Sequence, residues 1–249
     1  MNLSAAIQKG TAHAAYCEDF LMSESLGEKS LLLAVLDGCS MGEDSHFASA
    51  LYGKLLRKIA QEMSLESLRS PVSWQEEQPE TVAREVLRRL FAEVKVARQQ
   101  LALNWEELLT TVILWVHHFG AARSFVIVIG DGYVCCDGQV HELDQNNKPD
   151  YLAYHFDLPF DDWWAGQTQR FTFEQPQDLS IATDGVATFH PWPQPEDDAS
   201  LPDPLAYLLV DAEFAEADNM LDRKLMYLRK AHQFHAIDDV AIIRVRFGA

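Results

Sequence analysis

The chain has 249 residues, 48% hydrophobic and 23% charged, an ordinary globular composition with enough length for one large core. Acidic side chains outnumber basic ones by 38 to 20, and the resulting formal charge of −18 repels phosphate backbones and argues against a nucleic-acid-binding surface. No apolar segment approaches the ~18 residues of a membrane span and MNLSAAIQKG lacks the basic-then-apolar order of a signal peptide, so a single cytoplasmic domain over 1–249 is expected.

Residues 5–7 and 16–21 read as short strands, the second holding the acidic pair Glu18-Asp19. Residues 31–36 form a continuous apolar run cut off by Asp37-Gly38, a pattern that predicts a buried strand delivering a carboxylate to a sheet end. From Ser45, a candidate N-cap, Phe47, Leu51, Leu55, Ile59 and Met63 recur every four residues and predict a helix of about five turns. A polar loop with Pro71 and Pro79 follows. A second helix from about Thr81 carries Val82, Val86, Leu90, Val94 and Leu101 inward, with Arg84, Arg88, Arg89, Lys95 and Arg98 on its solvated face.

Residues 108–116, 124–129, 133–136 and 139–143 are β-rich with short connections, which predicts an antiparallel meander. Asp137-Gly138 reads as its hairpin turn. Residues 144–166 are a polar, then aromatic excursion, with Phe156, Phe160, Trp163 and Trp164 expected to form local core. Strands follow at 169–174 and 179–183, then a Pro-rich break at 191–195, helices at 204–214 and 219–234, and a closing strand at 240–247. The order defines an α+β protein with helices layered on antiparallel sheet. The four cysteines show no metal or redox spacing, and adjacent Cys135 and Cys136 point to opposite faces of a strand, as packing residues.

Three strands thus end in Asp-Gly, at Asp37, Asp131 and Asp184, while Asp19 opens a strand and Asp238-Asp239 opens the last one. If these ends meet, the carboxylates form a strongly negative pocket that is stable only with bound cations. Oxygen-only donors favour Mg²⁺ or Mn²⁺ over zinc, and the glycines would let a carbonyl or water approach the ion. A cysteine phosphatase is excluded, because the sixth residue after each cysteine, Ser23, Ser45, His141 or Glu142, is not arginine. An aspartyl-phosphate enzyme is excluded too, because Asp37-Gly38-Cys39 lacks the second aspartate. Of the histidines, only His13 and His46 lie near the motifs.

The set Glu18-Asp19, Asp37-Gly38, Gly130-Asp131-Gly132, Thr183-Asp184-Gly185 and Asp238-Asp239, in this order, resembles the metal-dependent type 2C protein phosphatases. Gly10-Thr11-Ala12-His13 ahead of Cys17 is similar to a bacterial branch of that family. The resemblance implies a four-layer α-β-β-α sandwich of two antiparallel sheets flanked by helices. It also implies a phosphoserine/phosphothreonine phosphatase in which two Mn²⁺ or Mg²⁺ ions activate a hydroxide, acting on a phosphoprotein whose kinase is a further partner. By motif position Asp37 would bridge the ions, the Gly38 carbonyl would bind one, Asp184 and Asp238 would complete the other, and Glu18, Asp19 and Asp239 belong to the same ligand set. Asp131 matches a third-ion ligand, but Thr188 stands where a further third-ion carboxylate is common. Two positions depart from the family: Ala14 replaces a phosphate-gripping arginine, leaving only His13 beside it, and Cys39 replaces a histidine that protonates the leaving oxygen. These departures define the alternative, a phosphatase-fold module of weak or no activity that binds a phosphoprotein or regulatory partner.

Overall fold

The long interior strands of the sheets are apolar almost without interruption because both their faces are covered, and a strand with no wet side has no reason to alternate in polarity. Residues Ser30–Leu36 are buried at all seven positions, and Val112–His118, Arg123–Ile129 and Val240–Arg246 at six of seven. The computed structural model describes residues 1–41, 45–69, 74–144, 149–192 and 201–248. In chain order the first half holds β1 (Asn2–Gln8), β2 (Phe20–Leu26), β3 (Ser30–Leu36), α1 (Ser45–Arg69), α2 (Pro79–Leu101), β4 (Val112–His118) and β5 (Arg123–Ile129). The second half holds β6 (Gly132–Cys136), β7 (Gln139–Leu143), α3 (Phe160–Gly166), β8 (Arg170–Glu174), β9 (Asp178–Ala182), β10 (Phe189–Pro191), α4 (Pro204–Leu209), α5 (Met220–Ala231), β11 (Phe234–Ala236) and β12 (Val240–Arg246).

Two five-stranded antiparallel sheets result, one in the order β1-β12-β9-β6-β7 and the other β2-β3-β4-β5-β8, with β10 and β11 as a small pair of their own. Alternation survives as a choice between two cores. On β3, Leu31, Leu33 and Val35 face the other sheet and, with Ile113, Trp115 and Val126 of their own sheet, form one core with its Ile181 and Ile243. Leu32, Ala34 and Leu36 face α1 and α2, against Leu56, Ile59, Val86 and Leu90. The outer face of the first sheet, with Ala182, Val240 and Ile242, is covered by Leu208, Leu221, Leu225 and Leu228 of α4 and α5. Three apolar seams between four layers make the expected α-β-β-α sandwich, and fully burying each large side chain contributes roughly 1.5–3 kcal/mol.

Several expectations are corrected. The run from β4 to β7 is not one meander: β4 and β5 lie in the second sheet, β6 and β7 in the first, and the chain changes sheets at Gly130-Asp131-Gly132. Gly130 has φ +98° and Gly132 φ +132°, conformations that side chains resist and that turn the strand out of one sheet into the other. Residues 16–19 are not strand, since β2 begins at Phe20. On α1 the buried stripe is Ala48, Tyr52, Leu56, Ile59, Ala60 and Met63, so the strict four-residue repeat from Phe47 starts on the wrong edge. Repeated steps of four drift around a 3.6-residue helix, and the true stripe mixes threes and fours. Leu101 ends α2 exposed.

The last helices are shorter than expected. Gln233, at φ +56°, stops α5, and Phe234–Ala236 pairs with Phe189–Pro191 instead. Other readings hold. Asp137 (φ +49°) and Gly138 (φ +84°) close the β6–β7 hairpin with both central residues at positive φ. Phe156 and Trp163 pack on Phe91, with ring centroids 5.1 and 4.7 Å away, so the aromatic excursion is local core. The cysteines are free. Pro71, Pro193, Pro195, Asp44 and the run Glu196-Asp197-Asp198 lie outside the described residues.

Gly130 and Gly166 separate backbone strain from composition. A Cβ on Gly130 would sit 2.8 Å from the Thr111 methyl in a left-handed conformation, whereas one on Gly166 meets nothing within 4 Å. Gly130→Ala is expected to cost about 1–3 kcal/mol and Gly166→Ala less than about 1, compared by urea unfolding.

Candidate metal centre

The carboxylates are held at the end of the sandwich by hydrogen bonds at their own backbones or at those of their chain neighbours. The Asp37 N–H donates to Thr111 Oγ1 (3.1 Å), and its carbonyl accepts from the Thr111 N–H (2.8 Å) and the Thr110 hydroxyl (2.7 Å). Gly38 donates to the Glu18 carbonyl (3.1 Å), which ties the end of β3 to the approach of β2. Asp131 sits on the sheet-switching turn, where the Gln169 side-chain amide donates to the Gly130 carbonyl (2.9 Å). Asp184 opens a 3₁₀ turn directly after Thr183. The Thr183 hydroxyl donates to Asp19 Oδ2 (2.7 Å) and accepts from the Ala241 N–H (2.9 Å). The Asp238 N–H donates to Thr188 Oγ1 (3.1 Å), so Thr188 serves the backbone here.

The outcome is a group of three carboxylates, Asp37, Asp131 and Asp184, each offering an oxygen within 4.8 Å of the others. They line a cavity of about 360 Å³ together with Glu18, Gly38, Cys39, Tyr151 and Asp238. A second hollow of about 260 Å³ shares Asp131 and Asp184 and adds Tyr133, Glu142, Asp144 and Thr188. Asp19 is buried behind the group, and its Oδ1 has no hydrogen-bond partner. Among the described residues no lysine or arginine makes an ion pair with Asp19, Asp37, Asp131 or Asp184.

Their electrostatics follow from crowding. Burial, then the charges of Asp19, Asp184 and Asp238, holds Asp37 well above the usual carboxylate range. Asp19 is raised likewise, by burial against the lowering effect of its Thr183 hydrogen bond. Burial and Asp238 raise Asp184. Asp131 is pushed up to about 6 by burial and by Asp184. Such a group repels itself when ionised and takes up either protons or cations.

The remaining predicted residues stand to one side. His13 Nδ1 lies 2.8 Å from Asp239 Oδ2 and 3.7 Å from Asp238 Oδ1, and its Nε2 is 3.7 Å from Glu18 Oε1. Burial pulls its pKa down, but the contact with Asp239 and the charges of Asp239, Glu18 and Asp238 outweigh that and leave it raised. Asp239 is not in the three-carboxylate group. Its Oδ1 accepts from the Gly10 N–H (2.6 Å) and its Oδ2 from the Glu18 N–H. His46 stacks on Tyr16 at 4.3 Å. Ala14 offers its carbonyl to Lys9 Nζ (2.9 Å).

Two glycines let backbones touch: a Cβ on Gly185 would collide with the Asp239 carbonyl, and one on Gly10 with the Asp238 carbonyl. Sequence reading passed over Thr110, Thr111 and Gln169 as supports. The polar pair Thr110-Thr111 at the head of an apolar strand was the available signal, while Gln169 gave none.

The two-sheet sandwich thus carries at one end a cluster of oxygen donors of the type that holds hard cations. The family model for Protein phosphatase 2C matches residues 9–225, and the chain belongs to that family. Similar folds include a bacterial serine phosphatase, at 14% identity over 99% of this chain and 98% of that one, with a TM-score of 0.64. The Mycobacterium tuberculosis serine/threonine phosphatase PstP/Ppp is 13% identical over 99% and 98% of the two chains, with a TM-score of 0.55. A Bacillus subtilis SpoIIE fragment holding the phosphatase domain is 15% identical, with a TM-score of 0.57; 99% of this chain is covered, but only 63% of that one. No curated protein sequence matches the chain. Among the described residues no helix is long and apolar enough to cross a membrane.

A raised carboxylate pKa destabilises the ionised fold, so the sign for Asp131 is fixed. Stability is lost as pH climbs from its ordinary value of 3.8 through about 6. Without added metal, Asp131→Asn is expected to be more stable than the native chain at pH 7.5, by on the order of 1–2 kcal/mol after screening. The difference vanishes near pH 4, as read by thermal unfolding in EDTA.

Proposed function

We propose that the chain is a phosphoserine/phosphothreonine protein phosphatase that works with two Mn²⁺ or Mg²⁺ ions. The observation that carries this reading is the convergence of Asp37, Asp131 and Asp184 within 4.8 Å, in a family of protein phosphatases. The donor set fits a hard cation: every offered atom is an oxygen, and Asp19 keeps a buried Oδ1 without a partner.

Asp37, the Gly38 carbonyl, Asp184 and Asp238 are the residues we assign to holding the two ions, with Glu18 and Asp19 reaching them through water and Asp131 flanking them. When bound, the ions supply a water of lowered pKa and neutralise the charge of the phosphoryl oxygens, so no protein nucleophile is needed. The chain's own residues orient and exclude. The backbone bonds at Asp37 and Gly38 fix the carboxylate and carbonyl directions. His13, held more readily protonated by its carboxylate neighbours, lies beside Glu18 of the cavity wall and is our candidate for contact with the substrate phosphate. A thiol is a weak general acid, so protonation of the leaving oxygen is assigned to solvent rather than to Cys39.

The named activities of the structural neighbours, a serine phosphatase and a serine/threonine phosphatase, support the substrate class. A phosphoprotein substrate, a cognate kinase as its source and a cytoplasmic setting complete the reading. With Mn²⁺, hydrolysis of a chromogenic phosphate ester and of a phosphothreonine peptide is expected, with loss in EDTA. Asp37→Asn should lower kcat by on the order of 100-fold or more. Mn²⁺ binding without turnover would instead make the chain a phosphoprotein-binding module, and no Mn²⁺ binding would sink the site.

A further inference from the structure

Asp238 and Asp239 stand side by side directly ahead of β12, yet their surroundings differ. Asp238 lines the acidic cavity. Asp239 is 1% exposed, and both of its oxygens are already taken. Oδ1 accepts the Gly10 N–H at 2.6 Å; Oδ2 accepts the Glu18 N–H and stands 2.8 Å from His13 Nδ1. We infer that Asp239 is a positioning residue, a buried two-oxygen clamp that fastens both ends of the 10–18 segment to the head of β12 and so sets Glu18 at the cavity wall with His13 beside it.

The case for a carboxylate at this position is one of donor count. An ionised carboxylate is the side chain that accepts at two oxygens and donates at none, and two backbone N–H groups, one on each oxygen, converge on it here. An asparagine of the same shape would turn an NH₂ group toward one of the backbone N–H groups and leave a buried donor unpaired. The clamp joins two ends that have separate anchors of their own: Thr11 and Ala12 donate to the carbonyls of Ala236 and Ile237, at 3.0 and 2.9 Å. Glu18, at the other end, is bound to Ser40 through its side chain (2.7 Å) and to Gly38 through its carbonyl. Asp239 is therefore the link through which the N-terminal segment, β12 and the end of β3 share one geometry. The catalytic part of this inference rests on the proposed function; the structural part does not.

Amide hydrogen exchange, Mn²⁺ titration calorimetry and steady-state kinetics on the full chain test it. In the native chain, the Gly10 and Glu18 amides should be protected as strongly as those of Thr11 and Ala12. In Asp239→Asn, exchange at Gly10 or Glu18 should accelerate at least about tenfold, with the Mn²⁺ stoichiometry unchanged. kcat should fall by about 10–100-fold, the range seen when groups that orient a metal site are removed, with KM for the small ester moving less. Loss of one bound Mn²⁺ in the variant would make Asp239 a ligand and overturn the inference, as would unchanged exchange or unchanged kcat. If the variant does not fold, the native-chain protection pattern decides alone, and unprotected Gly10 and Glu18 amides refute the clamp. A chain with no phosphatase activity would still show or lack that pattern, which keeps this failure distinct from failure of the proposed function.

Discussion

The constraint on which this molecule turns is the confinement of like charges. Asp19, Asp37, Asp131 and Asp184 all have raised pKa values because burial and their neighbours disfavour ionisation. What holds them together is not attraction between side chains but the backbone beneath them. Hydrogen bonds from Thr110, Thr111 and Thr183, and apolar seams on both sides of each sheet, fix the strand ends irrespective of the charge they carry. The core thus stores an electrostatic tension that a cation relieves, and the same tension makes the site selective for an ion over an apolar occupant.

Seen this way, the sandwich is a device for bringing distant parts of the chain to one line. Asp37 leaves the second sheet, Asp184 and Asp238 belong to the first, and Asp131 lies on the turn between them. The two left-handed glycines around Asp131 are what make that passage possible in three residues. Gly10 and Gly185 do a different job, letting backbones meet where side chains would collide.

Much of this was legible in the sequence because it is local. A strand that runs apolar and stops at Asp-Gly announces both its burial and its carboxylate, and β3, β5 and β9 were readable in this way. The sheet assignment of β6 was not, because short connections look alike whether the next strand pairs in the same sheet or crosses to another. The α1 stripe was misjudged by one residue, since apolar side chains on both edges of a broad face satisfy the same spacing. Asp239 reads like Asp238 by chemistry, because the two stand together ahead of β12, where strand alternation does not apply. The donors that converge on it, Gly10 and Glu18, lie more than 200 residues away in the chain, and nothing local points to them.

The placement of the ligands across two sheets has a mechanical corollary. The seam between the sheets, built on Leu33, Trp115, Val126, Ile181 and Ile243, sets the distance between one carboxylate and the next. A slide of one sheet over the other by a fraction of an ångström would alter the spacing of the carboxylates without touching any of them. By the same linkage, an ion held from both sheets would rivet the layers together and resist that slide. Core packing and ion affinity are, in this fold, two readings of a single gauge.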